Sequence, residues 1–300
     1  MMSRITNNMI INNFLANFTR SQKNLNKYME QLTTGEKFSR ISDEPIYAVK
    51  AMKLETMLKF NEKYMENAEE GINWLNVTDK ALDDVAKTLR KLRDSAVKAA
   101  NGVLTPDDRQ KIQQEVLQLK GHLVDVANSK DGDAYIFNGA KTKIQPYKNV
   151  DSTDPLAYVG DGGLSNEKLI REVGSGITIE INVTGDEIGF GQIFADIQAF
   201  NDSLENDDQD TIQAMIGTID EHIESVLGAR AQVGSRQNRL ELTVDRFSSQ
   251  EIAYADILNK TKGVDIAETI MKLKNEENVY RIALATGARI IQPTLMDFLR

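Results

Sequence analysis

The sequence has no cysteine, which removes disulfides, thiolate metal sites and cysteine nucleophiles together. Histidine occurs only at His122 and His222, a poor basis for a zinc centre. Basic charge is outweighed: 36 Lys and Arg against 45 Asp and Glu give a formal net charge of −9, with no basic block. That argues against nucleic acid, whose binding needs clustered Lys and Arg, and against a polybasic membrane anchor. Aromatic residues make up 6%, with a single Trp, which suits long helices better than a sandwich core. No run approaches the ~20 apolar residues of a membrane span, so no membrane insertion is expected. Met1 to Asn17 lack the continuous apolar core of a signal peptide. The expected location is therefore cytoplasmic, or outside the cell by a route without a cleaved signal. What remains is 300 residues, 41% hydrophobic and 27% charged, a folded chain long enough for two or three modest domains.

Heptads dominate both ends of the chain. Ile11, Phe18, Leu25 and Leu32 recur by sevens, with Phe14, Leu15, Tyr28 and Met29 between them, until Thr33-Thr34-Gly35 interrupts. A repeat averaging 3.5 residues keeps one stripe against a partner helix, and Gly is the usual residue just past a helix end. A second helix is expected from Pro45, capped by Ser42 or Asp43, with the seam Ala68, Leu75, Leu82, Leu89, Ala96 and an end at Asn101-Gly102. Thr105-Pro106-Asp107-Asp108 opens a third, whose stripe is Ile112, Val116, Leu119, Leu123, Val126.

Texture changes at residues 132–191, which hold 10 of the 19 Gly and two of the five Pro. Tyr135-Ile136-Phe137 running into Asn138-Gly139 reads as a hairpin turn. Ile177, Ile179, Ile181 and Val183 alternate with polar residues, the period of a half-buried strand. A small β-rich insert is expected here. Helix returns near residue 192. From 211 to 258, Ile212, Ile219, Val226, Val233, Leu240, Phe247 and Tyr254 repeat by sevens, with polar breaks at Arg230, Gln237 and Glu251. Gly228 and Gly234 suggest local kinks or close approach. A last helix opens with a capping box at Asp265 and Glu268 and carries Ile266, Ile270, Leu273, Tyr280, Leu284 and Ile291 before Pro293. The expected fold is mainly α with a β-rich insert. Helical limbs joined by short connections form an elongated antiparallel rod, termini paired at one end and a small β domain at the other.

The termini are short of charge. Residues 5–19 contain no Asp, Glu, Lys or Arg, and residues 282–296 contain only Arg289. Seams of monomeric coiled coils are usually flanked by Glu and Lys, and large exposed apolar stripes usually mark an interaction surface. The candidate assembly residues are therefore Ile5, Ile11, Phe14, Phe18, Leu25 and Leu32 at one end. At the other they are Ile266, Ile270, Leu273, Tyr280, Leu284, Ile291, Leu295 and Phe298.

Motifs with catalytic or ligand-binding precedent fall short. Both histidines sit beside seam positions and are expected to face solvent. Gly189-Phe190-Gly191 has Phe194 where a dinucleotide loop has its third glycine, so a strand-to-helix exit is expected. Gly160-Asp161-Gly162-Gly163 lacks the following Lys of a phosphate loop and reads as a surface loop. Asp207, Asp208 and Asp210 lack the glycine and closing Glu of a calcium loop and read as a turn and helix cap. No catalytic, cofactor or metal residue is assigned, and no enzymatic activity is expected.

Ile5-Thr6-Asn7-Asn8-Met9, Leu32-Thr33-Thr34-Gly35-Glu36-Lys37 and Ser42-Asp43-Glu44-Pro45 resemble the amino-terminal signature shared by flagellins and flagellar hook-associated proteins. Leu227-Gly228-Ala229-Arg230, Val233-Gly234-Ser235-Arg236-Gln237-Asn238-Arg239 and Asp265-Ile266-Ala267-Glu268 resemble its returning limb. Phe137 to Thr142 with Pro146-Tyr147, and the ending Ala288 to Gln292 with Leu295 to Leu299, resemble the hook-associated members at the hook–filament junction. Pro293 is closer to flagellin, the alternative. The resemblance implies a structural flagellar protein needed for motility, exported unfolded through a type III channel to the cell exterior. It implies an assembly segment at 1–40, an outgoing limb at 41–131 and an outer insert at 132–191. The returning limb is 192–260 and the C-terminal assembly segment 261–300. Implied partners are further copies in a ring, the proximal hook-associated junction protein, flagellin distally, and a cytoplasmic export chaperone on the C-terminal segment.

Overall fold

The computed structural model describes residues 7–101 and 105–290. Among these residues the chain forms seven α-helices: α1 (Asn7–Thr34), α2 (Pro45–Ala100), α3 (Pro106–Ala127), α4 (Gly185–Ile188), α5 (Phe190–Asn206), α6 (Gln209–Lys262) and α7 (Ile266–Ile290). Between α3 and α4 lie two antiparallel two-stranded sheets, β1 (Lys130–Asp131) with β2 (Ala134–Tyr135), and β3 (Ile170–Glu172) with β4 (Thr178–Glu180). The fold is mainly α, with its strands between α3 and α4; β1 begins two residues ahead of the insert expected at 132–191. The chain divides into two compact units, one of residues 1–59 and 251–300, the other of residues 60–250.

The larger unit is built on the two longest heptad runs. Ala68, Leu75, Leu82, Leu89 and Ala96 of α2 are buried in the same core as Ile212, Ile219, Val226, Val233 and Leu240 of α6. Each fully buried Leu contributes on the order of 2 kcal/mol by removal of apolar area from water. Two of the three polar breaks in α6, Arg230 and Gln237, have partners on α2, while Glu251 is exposed. Arg230 donates from Nε to Asp79 at 2.9 Å and from Nη1 to Asp83 at 2.7 Å, and Gln237 donates to Asn76 at 3.0 Å. A side chain that finds its partner at only one register fixes the sliding of two otherwise repetitive helices. Gly228 and Gly234 mark no close approach, since nothing lies within 4 Å of a β-carbon placed at either, and α6 runs unbroken through both. The close approach is at Gly71 instead, where a β-carbon would stand 3.0 Å from both Ile181 and Leu240.

The fully buried aromatic residues are concentrated in the insert and α5. Phe137, Tyr147, Tyr158, Phe190, Phe194 and Phe200 are fully buried, with Tyr147 edge-on to Phe190 and Phe194 at 5.6 and 5.5 Å. Lys120 of α3 is buried beside them. Its ammonium donates to Gln198 Oε1 at 2.6 Å, the Val150 carbonyl at 2.8 Å and Asp151 at 3.0 Å. Three acceptors satisfy a charge that burial alone would disfavour.

Several local expectations are corrected. The paired hairpin turn is Gly132-Asp133, between β1 and β2, and not Asn138-Gly139. Asn138 is buried, and its amide organises a loop by donating to the Ile144 carbonyl and accepting from Ser165 N. Of the alternating strand residues, Ile179, Ile181 and Val183 are buried while Ile177 is exposed. Helix returns at Gly185, and Gly189, at φ +79°, joins two helices rather than a strand to a helix. Glu44, not Ser42 or Asp43, precedes α2, and its carbonyl accepts the first helical bond from Ala48. His222 does not face solvent; it is half-buried against Asp196 of α5 at 2.8 Å, whereas His122 is exposed. The Thr105 cap is as expected, accepting from Asp108 N, and Asp208 caps α6 through Thr211 N.

Candidate assembly surface

The smaller unit is organised by α1 and α7. Ile11, Phe14, Phe18, Leu25 and Leu32 line the half-buried side of α1, and Leu273 and Tyr280 that of α7. Phe18 stacks on Tyr280 with ring centroids 5.0 Å apart, and Phe14 stacks on Phe18 at 6.0 Å. Phe14 also covers Gly287, leaving no room for a β-carbon there. The other α7 candidates, Ile266, Ile270 and Leu284, are exposed. Ile5, Ile291, Leu295 and Phe298 lie outside the described residues.

The loops joining these helices to their neighbours are themselves joined. Gly35, at φ +74°, ends α1, and its carbonyl accepts from Val264 N at 2.9 Å; Lys37 N donates to the Lys262 carbonyl at 2.7 Å. The Lys262 ammonium reaches Glu36 at 2.8 Å and Glu55 at 3.2 Å. The Glu36 bond, above all, holds this lysine above its usual pKa. Asp265 caps α7 by accepting from Glu268 N. The reciprocal half of the expected capping box is not made, since the Glu268 carboxylate turns to Lys272 at 2.8 Å. Phe38, Ala48 and Ala51 form the small core, with Leu258 packed on it.

That core is too small for its unit. Among the described residues only Phe38, Ala48, Ala51 and Leu54 are buried hydrophobics there, while seventeen large hydrophobic residues are exposed. The exposed set includes a region that the sequence reading missed, Ile46, Val49, Met52 and Met57 at the start of α2, with Ile46 83% exposed. A signal was present: ten of the sixteen residues from 45 to 60 are apolar, more than one helix face can bury. On α7, Met271 and Ile282 are exposed on the side away from Tyr280. An apolar surface of this extent marks an interaction site. Among the described residues no group of His, Asp and Glu is placed to hold a metal ion, and no helix is long and apolar enough to cross a membrane.

One well-packed helical unit, and another that leaves most of its large apolar residues exposed, give the chain the character of an assembly subunit. Residues 5–142 match the bacterial flagellin N-terminal helical region and residues 216–299 match the bacterial flagellin C-terminal helical region; the chain belongs to the flagellin family. It is 26% identical to flagellar hook-associated protein 3 of Escherichia coli over 301 residues, covering 90% of this chain and 92% of that protein. It is 26% identical to flagellin of Bacillus subtilis over 277 residues, covering 86% and 85%. A solved structure assigned as a flagellar hook-associated protein of Vibrio parahaemolyticus superposes with a TM-score of 0.66 at 25% identity, covering 74% of this chain and all of that one. The chain is a structural component of the bacterial flagellum.

Proposed function

We propose that this chain is a hook-associated subunit that joins the flagellar hook to the filament. The carrying observation is the imbalance of the smaller unit, with four buried hydrophobics against seventeen exposed among the described residues. Helices that lack a core of their own become stable when neighbours cover them, because burial then offsets the ordering entropy. Residues Ile11, Phe14, Phe18, Leu25 and Leu32 with Leu273 and Tyr280 hold the α1–α7 pair together. Ile266, Ile270 and Leu284 are turned to other subunits, and Ile5, Ile291, Leu295 and Phe298, outside the described residues, complete the proposed assembly set. In this reading the assembly segments are 1–40 and 261–300, the limbs are 41–131 and 192–260, and residues 132–191 face outward.

The partners are further copies in a ring, the proximal junction protein, flagellin distally and, before export, a cytoplasmic chaperone on the C-terminal segment. Export proceeds through the flagellar channel without a cleaved signal. The role is structural, without catalysis or cofactor. The similarity to hook-associated protein 3 over nine-tenths of both chains favours the junction, while the equal identity to B. subtilis flagellin supports the filament subunit as a second reading.

Sedimentation and circular dichroism of the full chain against one lacking residues 1–33 and 264–300 test the assembly role. The trimmed chain is expected to be a folded monomer and the full chain to associate. If the trimmed chain unfolds, the terminal helices are ordinary core and the reading fails. Filament seeds separate the two members: a junction subunit stops at short oligomers, whereas flagellin elongates the seed.

A further inference from the structure

A chain without cysteine leaves methionine as its only sulfur for a two-electron oxidant, and there are ten methionines. The described residues include seven with assigned burial. Met9, Met29, Met52, Met57 and Met271 are exposed, between 37% at Met57 and 67% at Met271. All five belong to the smaller unit. The two in the larger unit differ: Met215 is 6% exposed and Met65 half-buried. Among the methionines of assigned burial, the exposed thioethers all lie in the unit rich in unpartnered apolar residues, on three helices, α1, α2 and α7.

We propose that oxidation of these five methionines to sulfoxides is a switch that bars the free subunit from assembly; the proposal rests on the assembly reading above. In the step, a sulfur lone pair attacks one oxygen of a peroxide. An S–O bond forms, the O–O bond breaks, and the departing hydroxide takes the remaining proton and leaves as water. Sulfur loses two electrons and the peroxide gains them. The product is a polar, chiral side chain in place of a flexible apolar one. Buried in an apolar contact without a donor, its oxygen opposes association. In an assembled subunit the same sulfurs are covered, so the chemistry acts before assembly and spares what is already built. The change is reversible, since sulfoxide reductases return the thioether.

The test treats full-length protein with graded hydrogen peroxide, maps sulfoxides by peptide mass spectrometry and measures co-pelleting with hooks from cells lacking this protein. The five methionines are expected to oxidise before Met215. Oxidised protein is expected to bind hooks at least tenfold more weakly, with the thermal unfolding of the larger unit unchanged, and sulfoxide reductase restores binding. A variant with Leu at all five positions is expected to bind equally before and after peroxide, each variant being compared with its own untreated form. Undiminished binding by oxidised parent, failure of the reductase to restore it, or equal loss by the Leu variant overturns the switch. Untreated parent that leaves hooks unbound overturns the assembly reading first, and the switch with it.

Discussion

Phe14 of α1 occupies the space above Gly287 of α7 that any side chain at 287 would fill. The ring is held from behind by Phe18, itself stacked on Tyr280, so it has little freedom to retreat. Gly287→Ala should force the two helices apart at a cost of about 1–3 kcal/mol, the usual range for overpacking. Limited proteolysis should show the terminal helices cut faster, with the unfolding transition of the larger unit unmoved. Unaltered cleavage would mean that α1 and α7 are not paired in this way.

The Lys262 clasp predicts a pH dependence of definite sign. Its folded-state pKa is raised, chiefly by the hydrogen bond to Glu36. The contribution to stability is therefore complete below the unfolded lysine value of about 10.4 and fades as pH rises through the higher folded value. Melting followed by circular dichroism from pH 8 to 12 should show a steeper loss for the parent than for Lys262→Met, which has no such charge to lose. Parallel curves would remove the clasp from the account.

Lys120→Ala should destabilise the larger unit by about 2–4 kcal/mol, combining a cavity with the loss of the shared donor to Gln198 and the Val150 carbonyl. Lys120→Met fills the space but supplies no donor, so its urea midpoint should fall between those of the alanine variant and the parent. A methionine variant as stable as the parent would show that the three acceptors find water without cost.

Core and surface apolar residues should separate cleanly. Leu82→Ala, at a fully buried seam position, should cost about 2–5 kcal/mol. Ile46→Ser and Val49→Ser should each change monomer stability by less than about 0.5 kcal/mol yet weaken association in sedimentation. Association unaffected by both serine substitutions would exclude the start of α2 from the contact.

The helical limbs were legible because Leu75, Leu82 and Leu89, like Ile219, Val226 and Val233, sit at heptad spacing, and one period fixes both helix and buried side. The polar breaks were legible as breaks but not as pairs. That Arg230 meets Asp79 and Asp83 depends on the register of helices some 150 positions apart in sequence, and no local pattern encodes register. The same holds for His222, whose partner Asp196 is on another helix, and for Asn138, whose turn-like neighbour Gly139 concealed a role in a buried loop. At the candidate assembly surface, the first half of α1 and the end of α7 were marked by lack of charge, within residues 5–19 and 282–296. The start of α2 was masked by Lys50 and Lys53, which interleave its exposed apolar residues with charge.

The two backbone bonds between the loops, Lys37 to Lys262 and Val264 to Gly35, also set an order in time. A ribosome makes residue 37 long before residue 262, and a domain's parts form as their segments emerge. The larger unit's partners are all present once residue 250 has been made, but the loop after α1 must wait unpaired for almost the whole chain. Until then α1 is an unattached segment with an uncharged face and no helix to lie against, open to capture or to threading in extended form. Pairing these loops last makes completion of the chain a condition for completing the unit that meets its neighbours.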